Sequence, residues 1–115
     1  MLGEALVNNI PFNRHIGLKY QTVNEESCVI TFDMKPELVG NYIQGILHGG
    51  VISSSLDMVG GTMAAVGILH GNPVTHLDEL KKKIAKLSTI DLRVDFLRPG
   101  RGETFYAKAE LLRAG

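Results

Sequence analysis

The sequence predicts an α+β fold in which one antiparallel sheet wraps around a single long apolar helix. Segments toward both ends alternate apolar and polar residues with a period of two, as strands do. Residues 45–70 instead repeat apolar residues at helical spacing. With 115 residues, of which 44% are hydrophobic, the chain is expected to form one domain, residues 1–115, around one core.

The N-terminal part is expected to begin with a short amphipathic helix over the first nine residues, which Pro11 breaks. Two strands are predicted next, over residues 16–23 and 28–34, and the turn at residues 24–27 makes them a hairpin. Every second residue of the later strand is apolar. The residues expected to share its buried face are Cys28, Ile30, Phe32 and Met34.

The long helix is predicted to have two different faces. The apolar face, suited to packing on a sheet, carries Ile52, Leu56, Val59, Met63 and Val66. The other face, which could let another surface approach closely, carries Gly50, Ser54, Asp57, Gly61 and Ala64. Because a charge at the centre of a bilayer costs about 2.5–3.5 kcal/mol, Asp57 favours a core helix over a membrane span.

The C-terminal part is predicted to contain a second helix and a second hairpin. The helix is expected over residues 76–87, with the lysines at 81–83 as a solvated face. Alternating strands are expected over residues 88–97 and 103–112, joined at a turn over residues 99–102. The inward face of the last strand is predicted to hold Phe105, Ala107, Ala109 and Leu111.

Composition argues against several classes of protein. Twelve basic residues balance twelve acidic ones and no basic stripe is present, so no nucleic-acid partner is expected. Cys28 is the only cysteine, and His15, His70 and His76 share no ligand spacing, so neither an internal disulfide nor a metal site is expected. Residues 1–12 lack the features of a secretion signal, which predicts a cytoplasmic location with no membrane partner.

The residues whose chemistry suits catalysis lie at or near the start of the long helix. Gly49 and Gly50 follow His48, and unshielded backbone amides at a helix N-terminus can stabilise an oxyanion. Asp57, the only Asp, Glu, Lys or Arg between Glu37 and Asp78, is expected to be buried and to act as a general base or a nucleophile. The simpler interpretations are close packing at the glycines and a structural carboxylate at Asp57.

The spacing of these residues predicts an oligomer. Gly49 and Asp57 are eight residues apart, which is about 12 Å along a helix axis, whereas both would have to approach one carbonyl within about 3 Å. If two such helices lie antiparallel across a two-fold axis, the amide of each meets the carboxylate of the other. We therefore expect a homodimer, or a tetramer made of two dimers.

Three stretches of sequence resemble a known family. The motif LHGG at residues 47–50, followed by Asp57, resembles the PaaI-like group of hotdog-fold thioesterases. The strings GILHGGVI at residues 45–52 and TIDLRVDFLRPGRG at residues 89–102 look still more like the YigI-type medium- and long-chain acyl-CoA thioesterases. The resemblance covers the whole chain and implies a hotdog fold that hydrolyses acyl-CoA without metal or cofactor. It also implies further strands beyond the equivalent of Gly115.

The resemblance implies a role for individual residues. It makes Gly49 the amide that polarises the thioester carbonyl, with Asp57 supplied by the facing subunit. It implies a helping amide side chain upstream of His48, and both Asn41 and Gln44 are near that place. It implies a hydroxyl that binds the water or the carboxylate, for which Thr89 is favoured over Ser88.

Other residues keep two interpretations. His48 is favoured as a residue that orients the loop over one that acts as a base, with Gly50 beside it in contact with substrate. Arg98 and Arg101 are either surface residues or ligands of the coenzyme A phosphates. The alternative functions are an aryl-CoA thioesterase of the PaaI type and a non-catalytic acyl-CoA-binding module.

Overall fold

The predicted architecture, an antiparallel sheet with a long central helix, is confirmed by a computed structural model that describes residues 10–71, 82 and 86–111. In chain order, the elements are α1 (Pro11–Ile16), β1 (Lys19–Val23), β2 (Ser27–Asp33), a 3₁₀ turn (Pro36–Leu38), β3 (Val39–Asn41), β4 (Ile46–Leu47), α2 (Gly49–Gly71) and β5 (Thr104–Glu110). Strands β1, β2 and β5 form a three-stranded antiparallel sheet in that order, and β3 pairs with β4 in a second antiparallel sheet.

Helix α1 begins at Pro11, because proline at the first helical position loses only an N–H that would have no helical partner. The helix ends at Gly17, whose φ of 82° is a left-handed conformation that glycine adopts without strain. Ile16 therefore lies in α1, and the first strand starts at Lys19. The helix predicted over residues 1–9 lies outside the described residues.

The first hairpin forms as predicted. Asn24 Oδ1 accepts hydrogen bonds from the backbone N–H groups of Glu26 and Ser27, both at 2.9 Å, which fixes the turn between β1 and β2. On β2 the side chains of Cys28 and Ile30 are fully buried, with Phe32 buried beside them and Met34 partly buried.

The second predicted hairpin is wrong. Strand β5 pairs with β2, in a register that places Phe105 opposite Phe32 and Ala109 opposite Cys28. Residues 88–97 take part in no strand ladder with any described residue, and Ile90 is 100% exposed. Alternation shows that a segment suits a sheet, but only pairing makes it a strand. On the side away from β2, β5 is an edge in the described part of the chain.

A helix was predicted before residues 88–97, and a turn was predicted after them. The predicted second helix over residues 76–87 falls mostly outside the described residues. The segment over residues 99–102, predicted as a turn, lies beside β4. The Gly100 carbonyl accepts a 2.9 Å hydrogen bond from Leu47 N–H there. The chain then enters β5 at Thr104 rather than returning along residues 88–97.

Helix α2 packs its apolar face on the sheet, but rotated from the predicted position. Leu56 is 37% exposed, whereas Ser55 and Thr62 are buried. Their hydroxyls donate to the carbonyls one turn earlier, at 2.8 Å for Ser55 and 3.0 Å for Thr62, so both can be buried without losing hydrogen bonds. The core cluster on this side consists of Leu18, Cys28, Ile30, Val59, Met63, Val66 and Ala107.

Over Gly49–Ile68, α2 is long and apolar enough to cross a membrane by length and composition, with a mean hydropathy of 1.4. The central helix of a folded domain meets the same criteria. The packing of α2 on β2 and β5 accounts for its apolar character as that of a core helix.

Candidate active site

The start of α2 is held by His48. Its Nδ1 accepts a 2.8 Å hydrogen bond from Gly50 N–H, and its backbone carbonyl accepts one of 2.9 Å from Val51 N–H. The backbone N–H of His48 donates to the Leu38 carbonyl at 2.8 Å, which ties the helix start to the preceding turn. His48 is thus the N-cap, and a neutral imidazole that accepts at Nδ1 carries its proton on Nε2. This contact supports the loop-orienting interpretation of His48.

Gly49 and Gly50 have different roles at the start of the helix. A Cβ on Gly50 would lie 2.9 Å from His48 Nδ1, so the cap needs glycine there. The N–H of Gly49 has no hydrogen-bond partner among the described residues. It lies at the N-terminus of a helix of 23 residues, where the partial positive charge favours an oxyanion. The ring of Phe96 would lie 3.4 Å from a Cβ at Gly49, so the glycine also permits close packing.

Asp57 lies on the outer face of α2. Asp57 and Val66 are nine residues apart, which at about 100° per residue places them on opposite sides of the helix. The sheet covers the side of the buried Val66 and leaves Asp57 exposed. The predicted burial of Asp57 is therefore wrong for a single chain. Thr89 Oγ1 donates a hydrogen bond of 2.5 Å to Asp57 Oδ1. Of the two candidate hydroxyls, Thr89 makes the contact that the resemblance implied.

A groove of about 680 Å³ runs beside Asp57, between α2 and the segment from Leu87 to Leu92. On the helix side its lining includes the small residues Gly61 and Ala64, so the small-residue face is the wall of the groove. Ser88 and Thr89 supply hydroxyls, while most of the lining is apolar. The groove can therefore hold an apolar chain next to a carboxylate.

The described chain does not bring Gly49 and Asp57 together. Both lie in α2, and their spacing of eight residues corresponds to about 12 Å along the axis. One carbonyl could not contact both groups, so a site that uses both needs a second chain.

The remaining predicted residues form a second polar group, at the turn between β3 and β4. Asn41 Oδ1 accepts from Ile43 N–H at 3.1 Å and from Gln44 N–H at 3.2 Å, so this oxygen is used to form the turn. Gln44 Oε1 instead accepts a 2.7 Å hydrogen bond from Arg101 Nη2. All of these side chains are exposed, and so is that of Arg98. Gln44 and Arg101 are thus a pair, which the sequence alone did not indicate.

The groove residues that the sequence did not indicate include Ile10, Leu56 and Met58. Leu56 was assigned to the buried face because its spacing fits the apolar stripe. Ile10 precedes a proline far from α2 in the chain, and no pattern links it to the site. Among the described residues, no group of three or more His, Cys, Asp or Glu side chains could hold a metal ion.

Comparisons with known proteins agree with this picture. The thioesterase superfamily matches residues 44–115, more than half of the chain. Across all 115 residues the chain is 44% identical to "Medium/long-chain acyl-CoA thioesterase YigI" of Escherichia coli K12 and covers 74% of it. The protein of the same name from Salmonella typhimurium shows the same identity and coverage. A Shewanella oneidensis crystal structure described as related to the thioesterase superfamily has a TM-score of 0.93 and 39% identity, over 99% of this chain and 74% of that one.

These similarities confirm the hotdog fold and the resemblance that the motifs indicated. They leave the roles of individual residues as predictions.

Proposed function

Because this chain belongs to the thioesterase superfamily, we propose that it hydrolyses medium- or long-chain acyl-CoA to free acid and coenzyme A, with Asp57 as the general base. The observation that carries this proposal is the position of Asp57, which Thr89 holds at the wall of an apolar groove. The shared name of the relatives supports the substrate class. An acyl-CoA substrate also fits the cytoplasmic location predicted from the sequence.

The proposed reaction uses one proton acceptor and one amide. Asp57 takes a proton from water as the water oxygen bonds to the thioester carbonyl carbon, and the carbonyl oxygen becomes an oxyanion. The N–H of Gly49, which has no partner within the described chain, donates to that oxyanion. When the intermediate collapses, the carbon–sulfur bond breaks, and the departing thiolate takes up the proton. The products are the carboxylic acid and the coenzyme A thiol.

The site is proposed to be shared between two copies of the chain. Asp57 is exposed in one copy, where a second copy of the chain can contact it. An antiparallel arrangement of two α2 helices would bring the Gly49 amide of one copy to Asp57 of the other and create two equivalent sites. This arrangement also offers a way for Asp57 to become buried, as the sequence predicted.

The surrounding residues position these two groups. Thr89 donates to Oδ1 of Asp57, which leaves Oδ2 to accept the proton of water. His48 orients the helix start through Gly50 N–H and therefore acts by positioning. Gln44 holds Arg101 near the helix start, where the guanidinium is proposed to bind a phosphate of coenzyme A.

The direct test is turnover of a panel of acyl-CoAs by the wild-type chain and by Asp57→Asn. The amide fits the same space but cannot take the proton, so kcat is expected to fall by about 100-fold or more. A substituted chain that keeps more than about a tenth of its activity would exclude Asp57 as the base. Wild-type chain that binds acyl-CoA tightly but returns it intact would favour the non-catalytic binding module.

Single turnover in isotopically labelled water separates the base from the nucleophile. A general base delivers the label straight to the released acid and leaves Asp57 unlabelled. A nucleophile forms an anhydride with the acyl group, and water attack on its Asp57 carbonyl puts label into that side chain. Label found in the peptide that contains Asp57 would contradict the proposed role.

A further inference from the structure

Met58 follows Asp57 in the chain but occupies a different side of the groove. One residue turns a helix by about 100°, so Met58 lies at the flank of the groove while Asp57, Gly61 and Ala64 face it. Ile10, the residue before α1, lines the groove too. Met58 is partly buried and packs against the core cluster behind the groove.

The side chain of Met58 is held from behind by a buried amide. Asn13 in α1 is 1% exposed, and its Nδ2 donates to Met58 Sδ at 3.1 Å. The backbone of Asn13 is fixed in turn, because its carbonyl accepts from the N–H groups of Gly17 and Leu18 at the end of α1. Methionine has three rotatable side-chain bonds and normally adapts to its surroundings. The contact with Asn13 gives this methionine a defined position.

The backbone of Met58 is linked to the sheet through Thr62. Its carbonyl accepts a 3.0 Å hydrogen bond from Thr62 Oγ1, and the Tyr20 hydroxyl on β1 lies 2.7 Å from the same Thr62 oxygen. Because the single hydroxyl proton of Thr62 is used on Met58, the Tyr20 hydroxyl donates to Thr62. The side chain of Met58 is therefore held by α1, and its backbone is linked to β1 indirectly, through Thr62.

A fixed apolar side chain at the flank of a groove limits what the groove can hold. We propose that Met58, positioned by Asn13, is a specificity-determining residue that sets the longest acyl chain the groove accepts. The inference rests on the proposed function, since it assigns the apolar groove to the acyl chain. It predicts that the size of residue 58 and the preferred chain length change in opposite directions.

The test is kcat/KM for a series of saturated acyl-CoAs from hexanoyl- to stearoyl-CoA. Met58→Ala removes three heavy atoms and should move the optimum to longer chains, with a gain of about tenfold in relative kcat/KM for an acyl chain longer by two methylenes. Met58→Phe, which fills more of the groove, should move the optimum to shorter chains. Met34→Ala is the matched control, since Met34 is also partly buried but packs against a different core cluster. It should leave the optimum where it is.

A substitution of Asn13 tests its role in positioning Met58. Asn13→Leu keeps a buried side chain of similar size but removes the donor, so Met58 becomes mobile and the length profile should broaden without moving its optimum. Thermal melting shows whether each variant is folded, and Met58→Phe remains informative if Met58→Ala is not. An unmoved optimum in folded Met58 variants of an active enzyme would overturn the inference alone. A wild-type chain that hydrolyses no acyl-CoA would overturn the proposed function and this inference with it.

Discussion

Replacing Thr89 by valine is expected to slow turnover without loosening substrate binding. The substitution keeps the shape of the side chain but removes the hydroxyl that donates to Asp57 Oδ1 at 2.5 Å. If Thr89 holds the carboxylate in the orientation that accepts a proton from water, its loss lets Asp57 adopt unproductive rotamers. We therefore expect a lower kcat and an unchanged KM, the pattern of an interaction that matters in the transition state.

The size of the effect follows from the surroundings of the hydrogen bond. A hydrogen bond to a charged group contributes about 1.5–3 kcal/mol, but both residues are exposed in the single chain, so the lower end applies. At about 1.4 kcal/mol per factor of ten, kcat should fall by about tenfold. Thr89→Ser, which retains the hydroxyl, should recover most of the loss.

A matched control lies in the same chain. Thr104 Oγ1 donates to Asp33 Oδ1 at 3.0 Å, an exposed threonine–aspartate pair on the β2–β5 sheet and outside the groove. Thr104→Val should leave both kcat and KM unchanged within about a factor of two. Equal losses in the two valine variants, or an unchanged kcat for Thr89→Val, would refute the positioning role of Thr89.

Three further predictions concern stability and binding. Gly50→Ala should lower the melting temperature, because its Cβ would lie 2.9 Å from His48 Nδ1 and displace a cap that contributes about 1 kcal/mol. Gly60→Ala, where a Cβ meets nothing within 4 Å, should be neutral or stabilising; the reverse ranking in thermal melts would contradict the capping role. Burial raises the pKa of the Cys28 thiol from 9.0 to about 11, so the folded state keeps the proton that the unfolded chain loses. The contribution of the protonated thiol to the free energy of unfolding is therefore fully present below pH 9.0, and it should fall by at most about 2–3 kcal/mol as the pH rises to about 11. In urea melts, Cys28→Ala should weaken this pH dependence of stability. An identical dependence in the variant would contradict the prediction. Arg101→Met should raise KM severalfold with kcat unchanged and weaken the salt dependence of KM, whereas an unchanged KM would make Arg101 a surface residue only.

The elements that the sequence predicted well are those whose periodicity and burial agree. β2 alternates strictly, and the sheet covers the face that carries Cys28 and Ile30. α2 was predicted from its long apolar repeat, but not its rotation. Hydrophobicity alone favours burying Leu56, whereas Ser55 and Thr62 can enter the core because each hydroxyl bonds to its own helix.

What the sequence could not predict depends on contacts between distant segments. The alternation over residues 88–97 is as clear as that of β2, yet a ladder needs a partner, and no periodicity identifies one. Proline fits the first turn of a helix as well as the position after one, so the sequence did not indicate that α1 begins at Pro11. The sequence could not distinguish Asn41 from Gln44 as the helping amide. In the structure, Asn41 Oδ1 accepts hydrogen bonds within a turn, whereas Gln44 Oε1 accepts one from Arg101. The Thr89–Asp57 pair, 32 residues apart, was indicated only by the family resemblance.

A site that uses Asp57 of one chain and the Gly49 amide of another can be tested by mixing two inactive variants. Gly49→Pro removes the amide N–H at the first helical position, where proline fits, and Gly49→Ala controls for the added carbon near Phe96 because it keeps the N–H. After subunit exchange with Asp57→Asn chains, half of the dimers are mixed and each mixed dimer contains one intact site of two. A shared site therefore predicts recovery of about a quarter of wild-type turnover. If exchange is demonstrated and turnover stays at the level of the separate variants, the shared site is contradicted.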